Sequence, residues 1–165
     1  MTLVALDVDY RPARVATACV GFAAWTDAAP AFELVARSAA APAAYAPGRF
    51  FERELPYLLE ALARLPAAPG LIIVDGYVWL GADRPGLGAR LFDALGGRIP
   101  VVGVAKRPFR NAPAVPVLRG ASRRPLLVTA VGVDPAWAAA GVAAMAGACR
   151  RPTLLRRADR LARDA

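Results

Sequence analysis

Leu71-Ile72-Ile73-Val74-Asp75-Gly76 is a short, wholly apolar run that stops at a carboxylate and a glycine. A continuous apolar run of this length, rather than an alternating one, suits a central strand covered on both faces. The glycine-containing loop after it leads to a predicted helix from Gly86 to Leu95, and Ile99 to Ala105 then reads as a second buried strand. A strand, a helix and a second strand in that order make a parallel crossover, so this stretch decides the class: α/β rather than all-β.

Upstream, Leu3 to Tyr10 and Arg14 to Trp25 are valine- and alanine-rich runs separated by the turn-like Arg11-Pro12-Ala13. They read as two antiparallel strands, with Phe32 to Ala40 as a third. From Phe50 to Leu65 the apolar residues Phe51, Leu55, Leu58, Leu59, Leu62 and Leu65 recur at helical spacing, which predicts an amphipathic helix. Pro56 is best tolerated in a first turn, so the regular part is expected to begin near Glu54 or Leu55. Downstream, Asn111 to Arg124 has no clear period and reads as an irregular excursion before a strand at Leu126 to Thr129. A helix from Pro135 to Arg151 and the basic segment Leu154 to Arg163 close the chain. The expected architecture is a mixed sheet, three antiparallel strands and then parallel ones, with helices on both faces. That is the order of ribonuclease H-like folds. With 165 residues, no internal repeat and no low-complexity linker, residues 1–165 are expected to form a single domain.

The chain is 57% hydrophobic with a mean hydropathy of +0.38, yet it holds no uninterrupted apolar segment long enough to span a bilayer. Nor does its start show a basic-then-apolar signal layout, so a cytoplasmic protein with no membrane partner is expected. Cys19 and Cys149 both sit in apolar stretches and read as buried thiols rather than a disulfide or zinc site. A formal charge of +8 and a pI near 10.7 make the surface attractive to polyanions, nucleic acid first among them. Arginine supplies nearly all of that charge, and Lys106 is the single lysine. A compact ammonium at one position suggests a crowded polar site where a planar fork would not serve.

Acidic residues number 13, and two of them interrupt apolar strands: Asp7 within Val4-Ala5-Leu6-Asp7-Val8-Asp9-Tyr10, and Asp75. A carboxylate there is costly unless it is paired or bound to a cation, although an aspartate after a strand is also a common loop cap. Asp9, two residues on, shares the strand face of Asp7 and competes as an auxiliary ligand. Two carboxylates on neighbouring strands and a third from a helix, with Glu54 the natural choice, make a hard oxygen site suited to magnesium or manganese. Such a site suits two-metal hydrolysis of a phosphodiester. Lys106 follows Val101-Val102-Gly103-Val104-Ala105, where it can neutralise charge on the phosphate or orient the attacking water.

Four ordered motifs, Asp7-Val8-Asp9-Tyr10, Tyr45-Ala46-Pro47-Gly48 followed by Arg53-Glu54, Val74-Asp75-Gly76, and Gly103-Val104-Ala105-Lys106, together resemble those of the endonuclease V family in order and approximate spacing. The resemblance implies a ribonuclease H-like nuclease that uses Mg²⁺, or Mn²⁺, to cut 3′ to deoxyinosine or another deaminated base in DNA, or inosine in RNA. It implies Asp7 and Asp75 as metal-binding aspartates, Glu54 as the catalytic glutamate, which also serves as a metal ligand, and Lys106 as the assisting lysine. Tyr45 and Pro47 would form a wedge that fills the gap left by a flipped base, while Gly48, Phe50 and Gly76 would line its pocket. A monomer is expected. The chain departs from the family in having no histidine: Gly81 stands where the loop after Asp75 is expected to carry one, and Ala44 and Ala46 occupy wedge positions usually bulkier. A nucleic-acid-binding relative with weakened catalysis is therefore the alternative.

Overall fold

The computed structural model describes residues 1–39 and 50–165, with the side chains of Phe50 and Phe51 outside that description. Its centre is a seven-stranded sheet. Strands β1 (Leu3–Arg11), β2 (Arg14–Phe22) and β3 (Phe32–Ser38) form an antiparallel meander. Next to β1 on its other side lies β4 (Leu71–Asp75), parallel to it, followed by β7 (Val101–Ala105), parallel to β4. Between β4 and β7 a small separate hairpin, β5 (Trp79–Gly81) and β6 (Arg84–Pro85), occupies the loop. The sheet ends with β9 (Leu126–Val131) and β8 (Val115–Val117), both in antiparallel pairings, giving the spatial order β3-β2-β1-β4-β7-β9-β8.

Burial explains why this register holds. Leu3 and Ala5 of β1 with Leu71 and Ile73 of β4 pack into one core, together with Ala138, Val142, Leu154 and Ala158 from helices α3 (Pro135–Ala144) and α4 (Thr153–Asp164). Val4, Leu6, Ile72 and Val74, the alternate residues, pack into a second core with Leu58 and Ala61 of α1 (Phe50–Ala63) and Leu91 of α2 (Leu87–Ala94). Slipping either strand by one residue would exchange its two faces. The helices thus cover both faces of a mixed sheet, as expected from the sequence.

Several boundaries differ from the expectation, each for a physical reason. Helix α1 already begins at Phe50 and continues through Pro56, which removes one backbone donor without ending a helix held down by Leu58 and Ala61. The excursion from Asn111 to Arg124 contains β8, because Val115 and Val117 gain partners on β9. The helix expected from Pro135 to Arg151 stops at Ala144, and Met145 departs into an extended conformation. Cys19 is buried, but Cys149 is exposed in the turn that follows. Among the described residues, no helix is long and apolar enough to cross a membrane.

Arg119 explains why α3 ends where it does. The residue is only 7% exposed, and its guanidinium donates to the carbonyls of Ala143, Met145, Gly147, Cys149 and Arg150, gathering the helix end and the turn around one cation. Next to this turn, Arg150 donates to the carbonyls of Lys106 at 2.5 Å and Pro125 at 2.9 Å, tying it to the end of β7. Replacing Arg119 with methionine would keep much of the volume but strand those acceptors. A loss of about 3 kcal/mol is expected in urea unfolding. An unchanged midpoint would contradict this role.

Candidate active site

Asp7 and Asp75 sit where β1 and β4 stop pairing. The last matched pair is Leu6 with Val74, so the two aspartates follow side by side, and their two-residue period puts both on the face that α4 covers. Lys106 comes immediately after β7, whose Val104 pairs with Asp75, and its ammonium lies 2.6 Å from the Asp75 carboxylate. Glu54 arrives from α1, on the opposite face, and lines the same open cleft of about 630 Å³ as Asp7, Asp75, Gly76 and Lys106. The four polar residues singled out by the sequence are therefore brought to one end of the sheet.

Their charges interact. The Asp7 carboxyl is raised to about 6, mainly by burial and then by the negative charge of Asp75, although the Val8 amide donating to it at 2.8 Å opposes this. Glu54 is raised to about 8, again by burial first and then by Asp7 and Asp75. Tyr10, whose hydroxyl is buried beside Glu54, is pushed well up by burial and by the charge of that neighbour. The Arg53 guanidinium stacks 4.0 Å from the centre of the Tyr10 ring and partly offsets the charge of Glu54. Asp159 of α4 adds a further negative field at Asp7.

Carboxylates so placed favour a cation. The donors are all oxygen, which suits magnesium or manganese rather than zinc. As the side chains stand, however, no three acidic groups among the described residues converge closely enough to hold one ion. Asp75 is turned onto Lys106 instead. Both side chains of that pair are about two fifths exposed, at 40% and 39%, so water can replace either partner at little cost and free Asp75 for a metal. The site fits a hard divalent cation in charge and donor chemistry once that pair opens.

The backbone around the cleft is specialised. Gly76 takes φ +118°, a conformation that excludes side chains, while its own side stays open: an added Cβ would meet nothing within 4 Å. Gly103 has the opposite constraint, since a Cβ there would lie 2.5 Å from the Gly76 carbonyl oxygen. Beside it the Thr129 hydroxyl accepts from the Val78 amide at 2.8 Å, and Tyr77 donates to the Arg107 carbonyl at 2.6 Å. Together these contacts fix the loop that leaves Asp75.

Asp9 does not join the cluster: it lies two residues past Asp7, beyond the pairing of β1 with β4 and outside the cleft lining, with its carboxylate on Arg11 at 2.7 Å. The wedge residues Tyr45, Pro47 and Gly48 lie outside the described residues. Phe50 opens α1, and its side chain lies outside them too. Tyr10, Arg53, Thr129 and Asp159 were missed by sequence reasoning. Tyr10 was detectable within the first motif, and Arg53 beside Glu54. Thr129 and Asp159 depend on packing between distant segments.

In the absence of divalent cations, raised carboxyls favour the folded state most when protonated. Their contribution is present below the ordinary carboxylate range near 4 and is lost as pH rises through about 6 for Asp7 and about 8 for Glu54. The melting temperature in EDTA is thus expected to fall across that window, and Asp7→Asn with Glu54→Gln should flatten the fall. A parallel fall in the double variant would show that other groups cause it.

The sequence model of the Endonuclease V family matches residues 1–140. Endonuclease V of Streptomyces avermitilis is 37% identical over 142 residues, covering 73% of this chain and 61% of that protein. The crystal structure of Endonuclease V from S. avermitilis superposes with a TM-score of 0.78 at 34% identity, covering 99% of this chain and 80% of that one. Endonuclease V of Ciona intestinalis, solved with DNA containing an inosine, shares the fold with a TM-score of 0.84 at 16% identity, covering 99% and 84% of the two chains. The chain spans about three fifths of the length of the curated relatives it matches. By family match and identity alike, and with a ribonuclease H-like sheet, this chain belongs to the endonuclease V family.

Proposed function

We propose that the protein is a metal-dependent endonuclease that hydrolyses a phosphodiester 3′ to deoxyinosine or another deaminated base in DNA, in the service of DNA repair. The observation that carries this reading is the convergence of Asp7, Glu54, Asp75 and Lys106 on one cleft in a member of this family. The inosine-containing DNA bound by the Ciona relative supports the substrate class. Inosine in RNA presents the same base, so RNA is a substrate to test alongside DNA. Residues 1–165 would act as one domain and as a monomer.

Asp7, Glu54 and Asp75 would hold Mg²⁺, or Mn²⁺ in its place. The metal would supply charge stabilisation at the phosphate and a more acidic water for attack. The protein residues have distinct tasks. Asp7 and Asp75, fixed by adjacent strands, set the position of the scissile phosphate relative to the sheet edge. Glu54, with its raised carboxyl, is suited to exchange a proton with the attacking water. Lys106, on leaving Asp75, presents its ammonium to the phosphate, where negative charge grows during attack. Gly76, with open space at its α-carbon, admits the flipped base close to the backbone. Tyr45 and Pro47 would fill the gap left in the stack, with Gly48 and Phe50 beside the base.

A gel assay on labelled duplex carrying one deoxyinosine, with Mg²⁺ or Mn²⁺, tests this directly. Nicking that depends on the lesion and falls by about 10³-fold or more in Asp75→Ala is expected, the scale of losing an electrostatic catalytic group. Absence of nicking with either metal, on DNA and on inosine-containing RNA, would refute the nuclease reading.

A further inference from the structure

We infer that the outer face of α4 is a second docking surface, one that holds the phosphate backbone of duplex nucleic acid beyond the reacting nucleotide. This rests on the nucleic-acid reading above and extends it to a surface that the cleft does not include.

The pattern of α4 separates two faces. Leu154, Ala158 and Ala162, one turn apart, are buried against the sheet. Arg156, Arg160 and Arg163 are exposed on the other side, where they line a groove of about 440 Å³ with Arg151, Arg157 and Asp159. Arg157 is neutralised by Glu33 of β3, which it contacts at 2.5 and 2.7 Å through two nitrogens. Asp159 is shared by Arg151 and Arg163. Arg156 has only the Cys149 sulfur at 3.4 Å, and Arg160 has no partner among the described residues. Even with Asp164 at the end of α4, whose charge also reaches Arg157, the five arginines outnumber Glu33, Asp159 and Asp164, and the groove keeps a positive excess.

Position says what that excess is for. Arg151 lines both this groove and the small cavity formed by Asp7, Asp75 and Lys106, so the arginine face continues directly from the acidic cleft. A cluster of carboxylates repels a polyanion, and an adjacent row of guanidinium groups offsets that repulsion while leaving the cleft acidic. Guanidinium forks bind phosphate oxygens through paired hydrogen bonds, and contacts to phosphate carry no base sequence. The 12 residues of α4 extend about 18 Å at 1.5 Å per residue, enough to follow about five base pairs at roughly 3.4 Å each.

The test is equilibrium binding of undamaged duplex DNA in EDTA across a salt series, so that no cleavage is required. Arg156→Gln with Arg160→Gln is compared with wild type and with Arg64→Gln and Arg98→Gln, which remove equal charge from the opposite end of the sheet. Each lost phosphate contact lowers the slope of log affinity against log salt by about 0.9, so the α4 double variant should lose about 1.8 and the control much less. Arg160→Gln alone, which has no partner to lose, should lose about 0.9 and guards against misfolding of the double variant. With a duplex carrying one deoxyinosine to fix the register, also in EDTA, shortening the flank that reaches α4 by about five base pairs should weaken wild type and leave the α4 variant unaffected. Equal slopes in the α4 and control variants, or no salt dependence in wild type, would overturn the proposal. A reduced slope together with failure of the nicking assay would leave this surface standing and remove the nuclease reading.

Discussion

Gathering carboxylates beside one another at the open ends of two parallel strands is the constraint on which the cleft depends. Asp7 and Asp75 occupy positions set by the pairing of Leu6 with Val74, and Glu54 enters from the helix on the other face. Water would separate such charges at no cost. Here the sheet and helices bring them to one cleft, and burial and mutual repulsion appear in the raised carboxyls of Asp7 and Glu54. A divalent cation would favour the ionised carboxylates that burial and mutual repulsion oppose. Lys106 meets part of that demand when it pairs with Asp75, and its exposure makes the pairing exchangeable.

Holding repelling groups in place requires rigid surroundings, and two arginines far from the cleft in sequence contribute to this. Arg119 gathers the carbonyls at the end of α3, and Arg150 in the adjoining turn holds the Lys106 and Pro125 carbonyls. The backbone of Lys106 is thereby linked to the turn that also launches α4. On the other side, Gly103 and Thr129 let the loop after Asp75 pass close over β7. The basic surface and the acidic cleft are thus built from the same turn: Arg150 holds the backbone of Lys106, and Arg151 lines both the cavity beside Asp7 and Asp75 and the groove of α4.

Much of this arrangement was legible in the sequence because it is local. The run Leu71-Ile72-Ile73-Val74 is too apolar for anything but a covered strand, and a carboxylate closing it stands out. Lys106 was conspicuous as the one lysine among many arginines. The short strand β8 was not legible, since Val115-Pro116-Val117 acquires its conformation from β9 rather than from its own pattern. The early stop of α3 was hidden for a similar reason: alanine-rich sequence favours continuation, and the buried guanidinium of Arg119 overrides it. Asp9 looked equivalent to Asp7 by periodicity, but it lies two residues further past the last pairing of β1 with β4 and meets Arg11 rather than the cleft.

Direct titration of the metal-free protein with Mn²⁺, followed by electron paramagnetic resonance near pH 8, tests most plainly whether the gathered carboxylates form a cation site. The account predicts loss of the free Mn²⁺ signal on addition of protein, with binding weakened by at least tenfold in Asp7→Asn and in Glu54→Gln, about 1.4 kcal/mol. Binding that is absent in the wild-type protein, or unchanged by both substitutions, would contradict it.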